Sequence, residues 1–334
     1  MENTLLLNLM LTKGCNLSCS FCFAVDAMEH QEEISIENFR KFLSHTKEWE
    51  KDTKISYRFV GGEPTLHSQF PKLLDILQYE YEFSSLLIFT NSIVSKENVD
   101  RLYRLPRSTF VVNLLSPEQL SPSKQEKSNY FFEKLHKKHR ISIGTTLNNI
   151  NTDLNYLIDT AKKYKIKQVR LGIAQPIFSP TKGTMNIAPS LIQSQEMAKK
   201  VALFVQKAHK KNLKARPDCG HWECVYDEAM IKLIKRYNDE FVKEHQENCR
   251  PFTISPDMKM FVCFVVEGLY NDKSIFDFQT SIELKEYFDT SLQKLEAIPA
   301  FEECKSCEKF LTTCIGGCLG AKAMMAQKSE IEIL

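Results

Sequence analysis

The chain has 334 residues, 43% of them hydrophobic and 26% charged, which suits one large domain with an appendage, or two ordinary domains, and excludes wholesale disorder. With 44 Lys and Arg against 42 Asp and Glu, the formal charge is +2, so neither nucleic acid nor an anionic membrane is an expected partner. No run approaches the roughly 18 apolar residues of a membrane span. The opening MENTLLLNLMLTKGC lacks the basic flank and cleavage site of a secretion signal, making a cytoplasmic location the expectation.

Apolar, β-rich runs follow one another as TLLLNLML, KISYRFV, SLLIFT, STFVVNLL, RISIGTTL and KQVRLGI. Between them, residues 35–47, 68–80, 95–104, 123–138 and 153–164 carry apolar residues at helical spacing. Ser35 before IENF and Asn151/Thr152 before DLNYL read as helix caps. Six strand–helix alternations predict parallel strands joined by crossover helices, and the nearly continuous apolar strands predict a sheet covered on both faces. A turn-rich AQPIFSPTKGT and a long helix over about 188–211 follow. From LKARPDC onward the rhythm stops, and FTISPDMKMFVCF reads as a hairpin turning near Pro256–Met258. The expected division is 1–211 and 212–334.

Eleven cysteines need an explanation, since disulfides are disfavoured in a reducing cytosol and metal binding or catalysis becomes the leading alternative. Eight lie in the last 116 residues, and none lies between Cys22 and Cys219. Cys15, Cys19 and Cys22 (C-x3-C-x2-C) directly follow the first strand. Soft thiolates on one tight loop suit zinc or an iron–sulfur cluster. Structural zinc would close its shell with a fourth Cys or His, for which His30 is near in sequence. A [4Fe–4S] cluster held by three thiolates keeps one iron open.

This triplet, with Phe21 just before its last cysteine, resembles the signature of the radical S-adenosylmethionine (SAM) enzymes. FVGGEPTL at the end of the second strand is a second match: Gly61, Gly62, Glu63 and Pro64 correspond to the family's motif beside the methionine amino group of SAM. Glycines permit close backbone approach to a ligand, and carboxylate or carbonyl oxygens accept from an ammonium. The resemblance implies a partial (β/α)6 barrel of the TIM type over roughly 4–211, with ligands gathered at the carboxyl ends of the strands. Candidates there for contacts to SAM are Thr90/Asn91, Asn113, Thr145/Thr146, and Arg170, Leu171 and Gly172; each also reads as an ordinary cap or turn residue.

Cys304, Cys307, Cys314 and Cys318, with Cys249 and Cys263 upstream, resemble the SPASM extension, a small cysteine-rich α+β module that binds auxiliary [4Fe–4S] clusters. Two features depart from its pattern. Met258 stands where a glycine is usual, and no cysteine follows Cys318. Cys219 and Cys224 raise the C-terminal total to eight, enough for two fully ligated clusters. One division groups Cys304, Cys307 and Cys314 against Cys249, Cys263 and Cys318, with the places of Cys219 and Cys224 open. A single auxiliary cluster with spare thiols and a zinc knuckle are the alternatives. His221 reads as a polar neighbour of the Cys219/Cys224 pair or a non-cysteine ligand, and the faint zinc-deaminase likeness of His221-Trp222-Glu223 fails because Glu303, not Pro, precedes Cys304.

The resemblance implies reductive cleavage of SAM to a 5′-deoxyadenosyl radical that abstracts a substrate hydrogen. The expected substrate is a ribosomally made peptide, undergoing a cross-link or another oxidative maturation. The expected electron donor is a reductant such as flavodoxin or ferredoxin; because the triplet begins at residue 15 and leaves no room for a recognition domain before it, a leader peptide would need a separate leader-peptide-binding protein, an exposed sheet edge or the C-terminal module. Phe264 and Val265 follow Cys263, where sulfatase maturases carry an aspartate, which argues against that specific role. A small-molecule substrate in natural-product biosynthesis is the alternative, and a non-catalytic iron–sulfur or zinc-binding interaction protein a distant third. Asp218, Glu223, Tyr226 and Asp227 flank the cysteine pair, but no catalytic acid or base is assigned.

Overall fold

The computed structural model describes residues 4–22, 32–81, 85–179, 183–184, 191–241, 251–269 and 272–329. Six parallel strands are laid down in chain order: β1 (Thr4–Thr12), β2 (Lys54–Gly61), β3 (Leu86–Thr90), β4 (Ser108–Asn113), β5 (Arg140–Leu147) and β6 (Gln168–Ile173). The connecting helices are α1 (Ile36–Trp49), α2 (Phe70–Tyr79), α3 (Lys96–Arg104), α4 (Pro122–Leu135) and α5 (Asn155–Lys163). A small hairpin, β7 (Phe178–Ser179) with β8 (Gly183–Thr184), precedes α6 (Leu191–His209).

Alternation along each strand sets the two faces. Leu5, Leu7, Leu9 and Leu11 of β1 pack with Phe39, Phe42 and Leu43 of α1 in the main core, each at most 4% exposed. Burying such a side chain contributes about 1.5–3 kcal/mol, so this outer layer carries much of the barrel's cohesion. The opposite face forms the lumen, where Met10, Val60 and Phe261 make a separate small cluster joined by Phe89 and Phe264. Ser35 caps α1 as expected, accepting from the Asn38 N–H at 3.0 Å. Asn151 and Thr152 do not cap α5. They close a turn back onto Asn149 instead, and Asp153 accepts from the Asn155 N–H at the helix start.

The sheet continues past residue 212. β9 (Lys214–Pro217) pairs parallel with β6, and β10 (Phe252–Ile254) pairs parallel with β1, so both edges of the six-stranded unit are extended by later chain. β11 (Met260–Phe261) folds back antiparallel on β10, giving the order β11-β10-β1-β2-β3-β4-β5-β6-β9. The hairpin turn is closed by Met258 N–H donating to Ser255 O and Ser255 N–H donating to Lys259 O. Met258 has φ +71°, the left-handed conformation that glycine adopts freely. The backbone therefore keeps the shape of the usual glycine, and the buried methionine side chain (2% exposed) holds it there by packing.

After β9 come α7 (Glu228–Tyr237), α8 (Ser281–Glu296) and α9 (Leu319–Lys328). Gly320 in α9 sits against the Pro176 carbonyl and the Val265 side chain, so this last helix joins the segment after β6 to the segment after β11. Among the described residues no helix is long and apolar enough to cross a membrane.

Candidate active site

Cys15, Cys19 and Cys22 lie on the loop that leaves the carboxyl end of β1, each half-buried, with Cys22 N–H donating to Cys19 O in a tight turn. Phe21 is half-buried between them; His30 lies outside the described residues. Burial pushes the Cys19 thiol up to about 11, and Cys22 and Cys15 add to the rise, while Lys124 opposes it. Burial also raises Cys15, with Glu63 and Cys22 contributing. Thiols held protonated in this way become thiolates on binding a cationic centre, which couples metal uptake to proton release.

The GGEP turn lies against the start of this loop. Gly62 N–H donates to Thr12 O at 3.0 Å and Glu63 N–H to Gly14 O at 2.8 Å. A Cβ on Gly62 would run into the carbonyl oxygens of Gly14 and Lys13, the latter at 2.6 Å. These glycines thus serve the approach of backbone to backbone, which the reading in terms of a ligand alone did not foresee. Glu63 is fully buried. Its carboxylate accepts from Thr65 Oγ1 (2.7 Å), Thr90 Oγ1 (3.0 Å) and Asn91 N–H (2.7 Å), so its oxygens face the protein. Burial raises its pKa, and these hydrogen bonds work against the rise. Pro64 opens the single 3-10 turn that Glu63 caps.

Asn91 at the end of β3 ties the motifs together, donating from Nδ2 to Asn16 Oδ1 (2.7 Å) with Cys15 Sγ at 3.8 Å. Asn16 donates to Ile93 O, and Lys124 from α4 donates to Asn16 O, both at 2.9 Å; Asn148 donates to Ser20 Oγ at 2.7 Å. Asn16, Lys124 and Asn148 were not singled out from sequence, and no local signal marks them. Their partners lie 77 to 128 residues away.

The remaining candidates divide by strand face. Asn113, half-buried at the end of β4, aligns with Gly144 and shares its parity with the half-buried Thr109 and Val111. Thr145 shares the face of Ile141, Ile143 and Leu147, beneath the helices, where it bonds Tyr156; its neighbour Thr146 takes the lumen parity. Leu171 is likewise fully buried towards the helices, and its carbonyl accepts from Asp218 N–H (2.7 Å) and His221 Nε2 (2.6 Å). Arg170, which shares its parity with Gly172, pairs with Asp218 at 2.9 Å and lies over the Phe89 ring. Arg58 joins it from β2. Burial holds this guanidinium down at about 10, with Arg170 adding to the depression and Asp218 opposing it. An arginine within the apolar KISYRFV run was a legible signal of a lumen charge.

Among the C-terminal cysteines, Cys249 lies outside the described residues. Cys219 follows β9, Cys263 follows β11, and Cys318 is buried at the N-terminus of α9. Burial raises the Cys224 thiol to about 12, with Cys304, Cys314 and Cys307 adding to the rise. Glu223 pairs with Lys309 at 2.8 Å, and Asp227 caps α7 by accepting from Met230 N–H. Tyr226 and His221 are buried and hydrogen-bonded to each other, so both His221 ring nitrogens have protein partners. Lys322, fully buried in α9, donates to the Glu296 and Ile298 carbonyls, both at 2.7 Å. None of the ten described cysteines is joined in a disulfide. Among the described residues no three His, Cys, Asp or Glu side chains stand close enough to hold a single metal ion. Zinc–sulfur bonds are about 2.3 Å, and thiolates around a multi-iron cluster lie farther apart than those around one ion.

A parallel half-barrel with three thiols at the carboxyl end of its first strand defines a class. Residues 9–152 match the family model described as the Radical SAM superfamily. Two solved structures share the fold over nearly the whole chain. Streptococcus suis SuiB bound to its precursor peptide SuiA superposes with a TM-score of 0.63 at 17% identity, over 95% of this chain and 72% of that one. Native anSMEcpe with bound AdoMet and Kp18Cys peptide gives 0.66 at 20% identity, over 95% and 89%. Among curated proteins, the 7,8-dihydro-6-hydroxymethylpterin dimethyltransferase of Methanocaldococcus jannaschii is 31% identical over 105 residues, 31% of this chain and 20% of its own length. The chain spans less than a third of the length of this and the next two curated relatives that it matches.

Proposed function

We propose that the protein reductively cleaves SAM and uses the resulting radical to modify a ribosomally made peptide. The observation that carries this reading is the braced loop holding Cys15, Cys19 and Cys22, locked to the GGEP turn through Asn91 and Glu63. Three soft donors on that loop suit a [4Fe–4S] cluster, which when bound supplies the electron that breaks the SAM sulfonium bond, yielding the 5′-deoxyadenosyl radical. The chain's own groups bind and orient. The thiolates would hold the cluster, Asn91 and Asn16 set the loop, and Arg58 and Arg170 give the lumen positive charge suited to a carboxylate of SAM or substrate. The C-terminal thiols suit one or two auxiliary [4Fe–4S] clusters, in a division of the chain into a catalytic 1–211 and an auxiliary 212–334.

A peptide substrate is favoured because SuiB and anSMEcpe, whose folds match over 95% of this chain, are each described with a bound peptide. A cytoplasmic setting supplies the reducing conditions, a flavodoxin or ferredoxin the electron, and a separate protein the grip on a leader peptide. A small-molecule substrate is the second reading, favoured by the curated relatives, which are named for pterin and nucleotide chemistry over their shared segments. The test is anaerobic reconstitution with iron and sulfide, then dithionite and SAM, with 5′-deoxyadenosine measured by mass spectrometry. Its formation is the expected result, and cluster-loaded protein that yields none overturns the reading. Adding short peptides encoded beside the gene, and following their mass, separates the two substrate classes.

A further inference from the structure

We infer that Cys224 completes a four-thiolate cluster site with Cys304, Cys307 and Cys314, leaving that site with no open coordination position for substrate. This rests on the reading that the C-terminal cysteines hold iron–sulfur clusters. It assigns a ligand that the sequence left open, 80 residues or more upstream of the other three.

The local structure around Cys224 is fixed. It sits in the 3-10 turn Glu223–Val225, between Trp222 and Val225, each 1% exposed and packed in the main core. Asp227 caps the helix that follows, and Gln195 of α6 donates to Cys224 O at 3.3 Å. The turn is thus fixed on both sides, with the thiol between the fixed points.

The opposite wall is the loop from Cys304 to Gly316. Cys307 N–H donates to Cys304 O, Phe310 N–H to Cys307 O, and Cys314 N–H to Lys309 O, so the segment that carries the three cysteines is folded into successive tight turns. Gly316 N–H donates to Cys314 Sγ at 3.3 Å, and the Cys304 thiol meets Gly316 O at 3.9 Å. A backbone N–H aimed at a cysteine sulfur is the kind of outer-shell contact that orients a ligand and tunes a bound metal. The two walls are joined by the Lys309–Glu223 ion pair, which links the residue before Cys224 to the interior of the Cys307–Cys314 loop. Four thiolates saturate a four-iron cluster. A closed centre exchanges electrons without binding substrate. Cys219, Cys263 and Cys318, with Cys249, then remain for a second set.

The full chain carrying Cys15→Ala, Cys19→Ala and Cys22→Ala isolates the C-terminal sites. Iron and sulfide are counted after anaerobic reconstitution, and the electron paramagnetic resonance spectrum is recorded. Cys224→Ala or Cys224→Ser in this background is expected to remove about four irons per chain, or to convert one four-iron signal to a three-iron one. Cys307→Ala is expected to reproduce that change, and the Cys224/Cys307 double variant to lose no more than either alone. The inference is overturned if both Cys224 variants keep the full iron count and spectrum, or if the double variant loses twice as much. The serine variant and the non-additivity measurement guard against a simple folding defect. A background chain that binds no iron overturns the auxiliary-cluster reading itself, whereas a full count unmoved by Cys224 overturns only the ligand assignment.

Discussion

The backbone N–H of Asn91 meets the Glu63 carboxylate at 2.7 Å, while the Asn91 side chain reaches Asn16 at the same distance. One residue at the end of β3 therefore joins the GGEP turn to the cysteine loop. Outer-shell partners of metal ligands are typically worth 10–100-fold in affinity or activity. Asn91→Ala is expected to weaken iron retention at the Cys15 loop by about tenfold, read by competition with an iron chelator in a chain whose C-terminal cysteines are substituted. Retention equal to the parent chain would remove Asn91 from this role.

Gly62→Ala tests the contact between the two motif loops. The new methyl would meet fixed backbone, the carbonyls of Gly14 and Lys13, so no side-chain rotation relieves it. A loss of about 1–3 kcal/mol is expected, measured by denaturant unfolding of the apo chain. A change within a few tenths of a kcal/mol would mean that the two loops part without cost.

Lys322 makes stability depend on pH. Burial depresses its ammonium to about 8, and Glu296 and the nearby Cys304, Cys314 and Cys318 act against the depression. The folded chain releases this proton at lower pH than the unfolded chain, whose lysines titrate near 10.4. The cost of burying the charge is therefore present below about 8 and is relieved between about 8 and 10.4. The melting temperature of the apo chain, relative to Lys322→Met, is expected to rise from about pH 7.5 to about 9.5. A flat difference across that range would show that the ammonium carries no such cost.

Met258→Gly weighs two opposed effects. The left-handed backbone costs a non-glycine residue about 1–2 kcal/mol, which the substitution relieves. Deleting a buried methionine side chain costs about 2–5 kcal/mol. Packing wins, and a net loss of about 1–2 kcal/mol is expected by chemical denaturation. A stabilised glycine variant would show that the side chain is poorly packed.

Much of the barrel is legible in the sequence because its signals are local. Each of the six apolar runs overlaps an observed strand, and Ser35 announces α1 from one position away. Strand face was harder to read. Both faces of a parallel strand are covered, so Thr145 and Thr146 look alike in sequence, although one lies beneath the helices and the other has lumen parity. Glu63 was legible as a motif carboxylate, but its partners Thr90 and Asn91 come from the next strand, and only their arrival turns its oxygens away from a ligand.

The sequence by itself determined the order of strands and helices, the three-cysteine loop after β1 and the turn after β2. These depend on side-chain periodicity and on spacing within a few residues. Only the tertiary structure decided that Glu63 is consumed internally, that Lys322 is buried, and that Glu223, the neighbour of Cys224, pairs with Lys309 of the Cys307–Cys314 loop. Those relationships join residues that are distant along the chain, and they exist only once the packed core has fixed both partners in space.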